Sequence, residues 1–236
     1  MDYKDYKSGM SQDHFWLQGK TELIEILFNK LNLEKNSKIL DIGSGTGQDL
    51  QIINKFGNAY VVDIEQKSLD MIPIDLVSEK KLSDACNLDY PDNYFDIVVT
   101  FDVLEHIKND KKAVQEIYRV LKPNGKFIFT VPAFNFLYSN HDKNLGHFRR
   151  YNKQKLKMLL TNSFYFQDLN YWLFFLFLPA SVQRLLNLNF VNSGKKFPKL
   201  TNKFFVKILN FENWLIKHGL KFPMGLSIYG ICKVKK

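Results

Sequence analysis

The stretch "ILDIGSGTGQDL", Ile39 to Leu50, decides the fold. It opens as an apolar strand, carries an acid at Asp41, and then places Gly43, Gly45 and Gly47 two residues apart. A run without Cβ atoms at a strand end turns sharply into a helix and lets a ligand lie directly on the backbone N–H groups. The dinucleotide fingerprint is G-x-G-x-x-G. Here Gln48 stands where its third glycine belongs, so the pattern is G-x-G-x-G and a nicotinamide dehydrogenase is disfavoured.

Outward from this turn, short apolar runs alternate with amphipathic segments from Lys38 to Val131, the pattern of a parallel sheet flanked by helices. Strands are expected at "KILDIG", "AYVVDI", "KLSDA", "FDIVVTF" and "GKFIFTV". A helix from about Phe15 to Leu31 precedes the first. Between the last two, Ala113, Val114, Ile117, Val120 and Leu121 form one helical face, which Pro123 and Gly125 end. A further helix is expected near Lys153 to Leu160. Acids recur where these strands stop: Asp41, Asp63, Asp84 and Asp102. One acid after a strand is an ordinary turn residue. Four at successive carboxyl ends line the crevice in which open parallel sheets bind ligands.

"LDIGSGTG", "VVDI", "SDA", "FDIVVTFDVLEHI" and "VLKPNGKFIFTVP" together resemble the class I S-adenosylmethionine (SAM)-dependent methyltransferases, in their small-molecule branch, from about His14 to Lys236. The resemblance implies a Rossmann-like, doubly wound α/β sheet of seven strands, the last antiparallel, in one domain over 14–236. By the same likeness Asp41, Gly43, Gly45 and Gly47 cradle the methionine part of SAM, Asp63 holds the ribose, and Ser44 and Ile64 also meet the cofactor. Asp84 with Ala85 meets the adenine, and Phe101 with Asp102 faces the cofactor. "LEHI", Leu104 to Ile107, is typical of the family and is expected to open the fourth crossover helix with a structural role.

The loop after the fifth strand, "VPAFNFLYSNHDKNLGHFRRYNKQKL", gathers His141, Asp142, His147, Arg149, Arg150 and Tyr151. His141 and His147 are candidate general bases. Arg149, Arg150 and Tyr151 are candidate acceptor-binding residues, since an arginine pair can fork onto phosphate or carboxylate. Two histidines and an acid lack a third nitrogen or sulfur ligand, so no metal site is expected there. The segment resembles "HD…LGH-RRY" stretches of methyltransferases in cell-surface glycan and lipid pathways.

The C-terminal part should hold the last two strands, about "FYFQDLNYWLFFLF" and "GLSIYGICKVKK", around a helical insert at about 176–224. In it, Lys203, Lys207, Asn210, Lys217 and Lys221 fall on one helical stripe, with Phe204, Phe205, Ile208, Leu215 and Ile216 on the others. Residues 143–236 hold 17 Lys+Arg against 2 Asp+Glu, or +15, whereas residues 1–142 hold 16 against 22, or −6, so the net charge of +9 hides a strongly basic second part. A basic, aromatic half suits an anionic partner: a phosphorylated or lipid-linked acceptor, a membrane face, or nucleic acid. Nucleic acid is disfavoured because "FDVLEH" lacks the [DN]-P-P-[YF] tetrapeptide of base-amino methylation. A non-catalytic SAM- or NAD-binding protein is the other alternative.

With 236 residues, 45% of them hydrophobic, the chain can bury a full core as one domain. Cys86 and Cys232 alone make no disulfide framework or zinc cage, the run "YWLFFLFLPASV" is too short to span a bilayer, and no secretory signal is evident. A cytoplasmic protein, peripheral on the inner membrane face, is therefore expected. Residues 1–13, with "DYKD" resembling part of an epitope tag, read as a flexible start or tag and Met10 as a candidate native start.

Overall fold

The computed structural model describes residues 13–186 and 198–236; the tag-like start before them lies outside the described residues. The chain runs α1 (Phe15–Asn29), β1 (Lys38–Ile42), α2 (Leu50–Ile53), β2 (Asn58–Asp63), α3 (Gln66–Asp70), β3 (Glu79–Leu82) and β4 (Phe95–Phe101). It continues through α4 (Asp110–Val120), β5 (Leu121–Pro132), α5 (Asn140–Leu145), α6 (Lys153–Leu160), β6 (Phe164–Trp172), α7 (Phe177–Leu185), α8 (Lys199–Lys217) and β7 (Ser227–Val234). The strands form one sheet in the order β3-β2-β1-β4-β5-β7-β6, with β7 antiparallel to both neighbours. This is the expected doubly wound sheet, and the strand order reverses between β1 and β4, where such sheets bind ligands.

Burial explains the element choices. β4 is apolar on both faces and lies in mid-sheet, with Phe95, Ile97, Val98 and Val99 fully buried. α4 buries Ala113, Val114, Ile117 and Val120, the face its spacing predicts. Its end differs from the expectation. Leu121 already pairs with Phe95 as the first residue of β5, and the register then slips before Ile97 meets Lys126. Pro123 and Gly125 therefore sit in an irregularity of the strand rather than at a helix stop. β3 ends at Leu82, so Asp84 lies beyond it, in a turn that bridges to Asn87. "LEHI" does not open a helix either: Leu104–His106 is a single 3-10 turn, and α4 starts at Asp110, with the Asn109 side chain accepting from Lys112 N at 3.1 Å.

Among the described residues of the insert between β6 and β7, α8 is docked. α8 lies on α1, with Leu209 so close to Gly19 that a Cβ there would stand 2.5 Å from Leu209 Cδ1. Asn213, fully buried, donates to Gly19 O at 2.9 Å and to Glu22 Oε2 at 2.9 Å, and accepts from Trp172 Nε1 at 3.0 Å. Glu212, also buried, accepts from Phe174 N and Phe175 N at 3.0 and 3.3 Å. Phe205 turns inward against Phe15, ring centroids 4.9 Å apart. The outer face mixes charge and aromatics: Lys203, Phe204, Lys207, Phe211, Trp214 and Lys217 are all exposed, so lysines and large rings share one face instead of occupying separate stripes.

Candidate active site

The crevice is built at the carboxyl ends of β1, β2 and β4. Gly43, Gly45 and Gly47 all adopt positive φ, at 70°, 53° and 78°, a conformation that branched side chains avoid. A Cβ on Gly43 would stand 2.7 Å from Val103, and one on Gly47 2.8 Å from Leu50. Gly43 N bonds Val62 O at 2.8 Å, which ties the turn to β2. Asp63, the last residue of β2, receives Gly45 N on one carboxylate oxygen and Glu65 N on the other, both at 2.9 Å. Of the serial acids, Asp63 thus bonds the glycine turn directly. Beside Asp63, Ile64 is 77% exposed, a bare apolar side chain at the crevice rim. Asp84 is exposed with Cys86 N on its carboxylate at 2.8 Å, Ala85 is buried, and Phe101 is buried beneath Asp102, whose φ is 61°.

One residue of this crevice has no counterpart in the sequence expectations. Lys20, on α1, is buried, with its ammonium 3.4 Å from Asp49 and 3.5 Å from Asp102 and lying near the Trp16 and Phe101 rings. Burial works against its charge, but Asp49, Asp102 and Asp41 overcome that and hold its pKa above the usual lysine value. Burial also pushes the Asp41 carboxyl well above the usual range, with Asp49 adding to the effect and Lys20 opposing it.

SAM fits these residues on three observations. The turn offers close backbone that side chains would block. Ser44 is buried with its Oγ unpartnered in the crevice wall. A buried ammonium at Lys20 and the carboxylates of Asp63 and Asp102 supply charge of both signs for a zwitterionic amino acid and a diol. When bound, SAM supplies a methyl group on a sulfonium, a leaving group already activated. The chain's own task is then to align the acceptor and exclude water.

The loop after β5 closes over the end of β4. Phe148 N bonds Glu105 O at 2.8 Å, Arg149 donates to Lys108 O at 2.7 Å, and Tyr151 OH lies 3.2 Å from Leu104 O. Of the candidate acceptor residues, Arg150 is buried, with Nε and Nη2 both 2.8 Å from Asp142 Oδ1. Tyr151 is buried and donates to Asp110 Oδ2 at 2.9 Å, and Arg149 pairs with Asp110 at 2.7 Å. These internal partners fit the arginines and tyrosine as residues that set the loop's shape. The two histidines diverge. Burial and Arg184 push His141 down to about 4, which leaves it neutral but a weak base near pH 7. His147 Nδ1 instead lies 2.9 Å from Asp142 Oδ1, a carboxylate that orients the ring. His147 and Arg150 in turn hold Asp142 far below its ordinary range despite burial. Burial and Asp102 push Glu105 well above its own.

With this geometry in place, comparison with known proteins finds likeness over the central part of the chain. Residues 40–129 match the family described as "Methyltransferase domain". This match runs from β1 into β5 and covers less than half of the 236 residues. It is 27% identical over 157 residues to a Plasmodium falciparum phosphoethanolamine N-methyltransferase, covering 63% of this chain and 58% of that protein. It is 36% identical over 110 residues to the ubiquinone/menaquinone biosynthesis C-methyltransferase UbiE of Neisseria meningitidis, covering 42% and 44%. The chain thus spans about half the length of these curated relatives. The Haemonchus contortus phosphoethanolamine N-methyltransferase 2, solved with SAM, shares the fold at a TM-score of 0.58 and 19% identity, over 90% of this chain and 51% of that one.

Proposed function

We propose that this protein transfers the methyl group of SAM to a small-molecule acceptor. The observation that carries the reading is the cradle: three positive-φ glycines whose middle N–H meets Asp63, faced by the buried Lys20. Asp63 is assigned to the ribose hydroxyls, Ile64 and Ala85 to the adenine faces with Asp84 at its edge, and the glycine turn with Ser44 and Lys20 to the amino-acid end. Calorimetry with SAM, S-adenosylhomocysteine and NAD tests this directly. Binding of SAM and its product, lost in Gly45→Val, is expected. Preference for NAD, or unchanged SAM affinity in that variant, refutes it. The named relatives act on a nitrogen in one case and a carbon in the other, so the acceptor atom has to be sought in the loop that carries His147.

The acceptor is further proposed to be lipid- or glycan-linked and met at a cytoplasmic membrane face. What supports this is the outer face of α8, where Phe204, Phe211 and Trp214 are 60%, 54% and 52% exposed among lysines. Among the described residues no helix is long and apolar enough to cross a membrane, so attachment would be peripheral.

A further inference from the structure

We propose that Glu105, His106 and His147 form a binding site for a first-row divalent cation beside the methyl-transfer crevice. The loop after β5 supplies His147, and the 3-10 turn after β4 supplies Glu105 and His106. One ligand atom from each of the three residues lies within 4.8 Å of the others. The His106 and His147 rings meet edge to face with centroids 4.6 Å apart.

The surroundings are those of a ligand set. Glu105 is 1% exposed, and its Oε2 is buried without a hydrogen-bond partner. A carboxylate oxygen left so costs free energy that coordination would recover. His147 meets Asp142 through Nδ1, so Nε2 is the nitrogen available to a metal, the carboxylate–histidine arrangement by which proteins fix a ligating imidazole. Asp142 is itself fixed by Arg150 and by Ser139 N at 2.9 Å. The two halves of the site, 41 residues apart in sequence, are locked together by the Phe148 N–Glu105 O bond, and Tyr138 OH holds His147 O at 2.7 Å.

Two imidazoles and one carboxylate suit Zn²⁺, Mn²⁺ or Fe²⁺ at about 2.0–2.2 Å from each ligand, with positions left open. Through Glu105 the site neighbours Asp102, the acid that pairs with Lys20 in the crevice. An oxygen donor on the acceptor, such as a hydroxyl, fits the open positions, and the cation would lower its pKa without a protein base. That role rests on the methyltransferase reading; the binding of the ion does not.

The test titrates chelator-treated full-length protein with Zn²⁺ and Mn²⁺ by calorimetry, with SAM affinity and near-ultraviolet circular dichroism measured on every variant. One ion per chain is expected. His106→Ala and His147→Ala should each weaken it at least tenfold while SAM affinity holds, and Asp142→Asn should weaken it about 10–100-fold by freeing the His147 ring. Should Asp142→Asn lose its fold, the two histidine variants still decide. Wild-type protein that binds no ion, or binds it equally well in the His106→Ala/His147→Ala double variant, overturns the site and leaves His147 and Asp142 as a base pair. Ion binding without SAM binding would retain the site and reject the proposed function.

Discussion

At the scale of single residues, the glycine turn is the most constrained part of the chain and the most legible. Gly43→Ala places a Cβ 2.7 Å from Val103 at φ +70°, so two separate strains act on it. Expected is a stability loss of about 1–3 kcal/mol, measured by urea unfolding, together with weaker SAM binding. A wild-type midpoint would show that Val103 moves aside freely. Lys20 was not legible at all. A lysine in an N-terminal helix reads as a solvated face, and only the packing of α1 over the crevice brings it between Asp49 and Asp102. Lys20→Met should raise the SAM dissociation constant at least tenfold, about 1.4 kcal/mol, in calorimetry on folded protein. An unchanged constant would assign Lys20 to fold electrostatics alone.

Elements were read well where a period or a cap marked them, as in the α4 face and in α6, and poorly where tertiary contact sets the boundary. The sequence after Val120 looks like a helix tail, yet Leu121 is claimed by pairing with Phe95. Likewise "LEHI" stays a 3-10 turn, with the loop after β5 bonded to it at Glu105 O and Leu104 O. The docking of α8 was hidden because it rests on Glu212 and Asn213, polar residues of kinds that are mostly exposed. Asn213→Ala would leave Trp172 Nε1 without its acceptor and remove the bonds to Gly19 O and Glu22, and should cost about 1–3 kcal/mol in thermal or chemical unfolding. The loop carries its own pH signature. His141 is held near 4, against an ordinary 6.5, by burial, Arg184, Arg150 and His147, with Asp142 opposing. Since its folded pKa is depressed, the unfolded chain takes up the proton first, and stability falls as pH drops from 6.5 toward 4. His141→Gln should flatten that part of the stability–pH curve, whereas an unchanged slope would place the proton uptake elsewhere.

Across the whole molecule, charge and exposed apolar surface coincide in the second half. The sequence shows the charge imbalance directly, but only the fold decides which rings remain outside. Phe205 is taken up against Phe15, while Phe211 joins Phe204 and Trp214 on the same side as Lys203, Lys207 and Lys217. Leu178 and Val182 on α7 are exposed as well, at 70% and 52%. On an anionic bilayer each lysine near the surface contributes about 1 kcal/mol, and the rings add apolar burial, so attachment should need both contributions. The electrostatic part shrinks as salt shortens the Debye length, whereas the apolar part does not. In vesicle flotation the protein should rise with anionic but not neutral lipid at low salt and sink as salt is added. A Lys203/Lys207/Lys217→Glu variant should stay at the bottom throughout, and Phe211→Ser/Trp214→Ser should lose most binding even at low salt. If the folded wild type ignores anionic vesicles at low salt, the exposed face of α8 serves something other than a membrane, and the lipid-linked acceptor loses its physical support while the cofactor site stands unaffected.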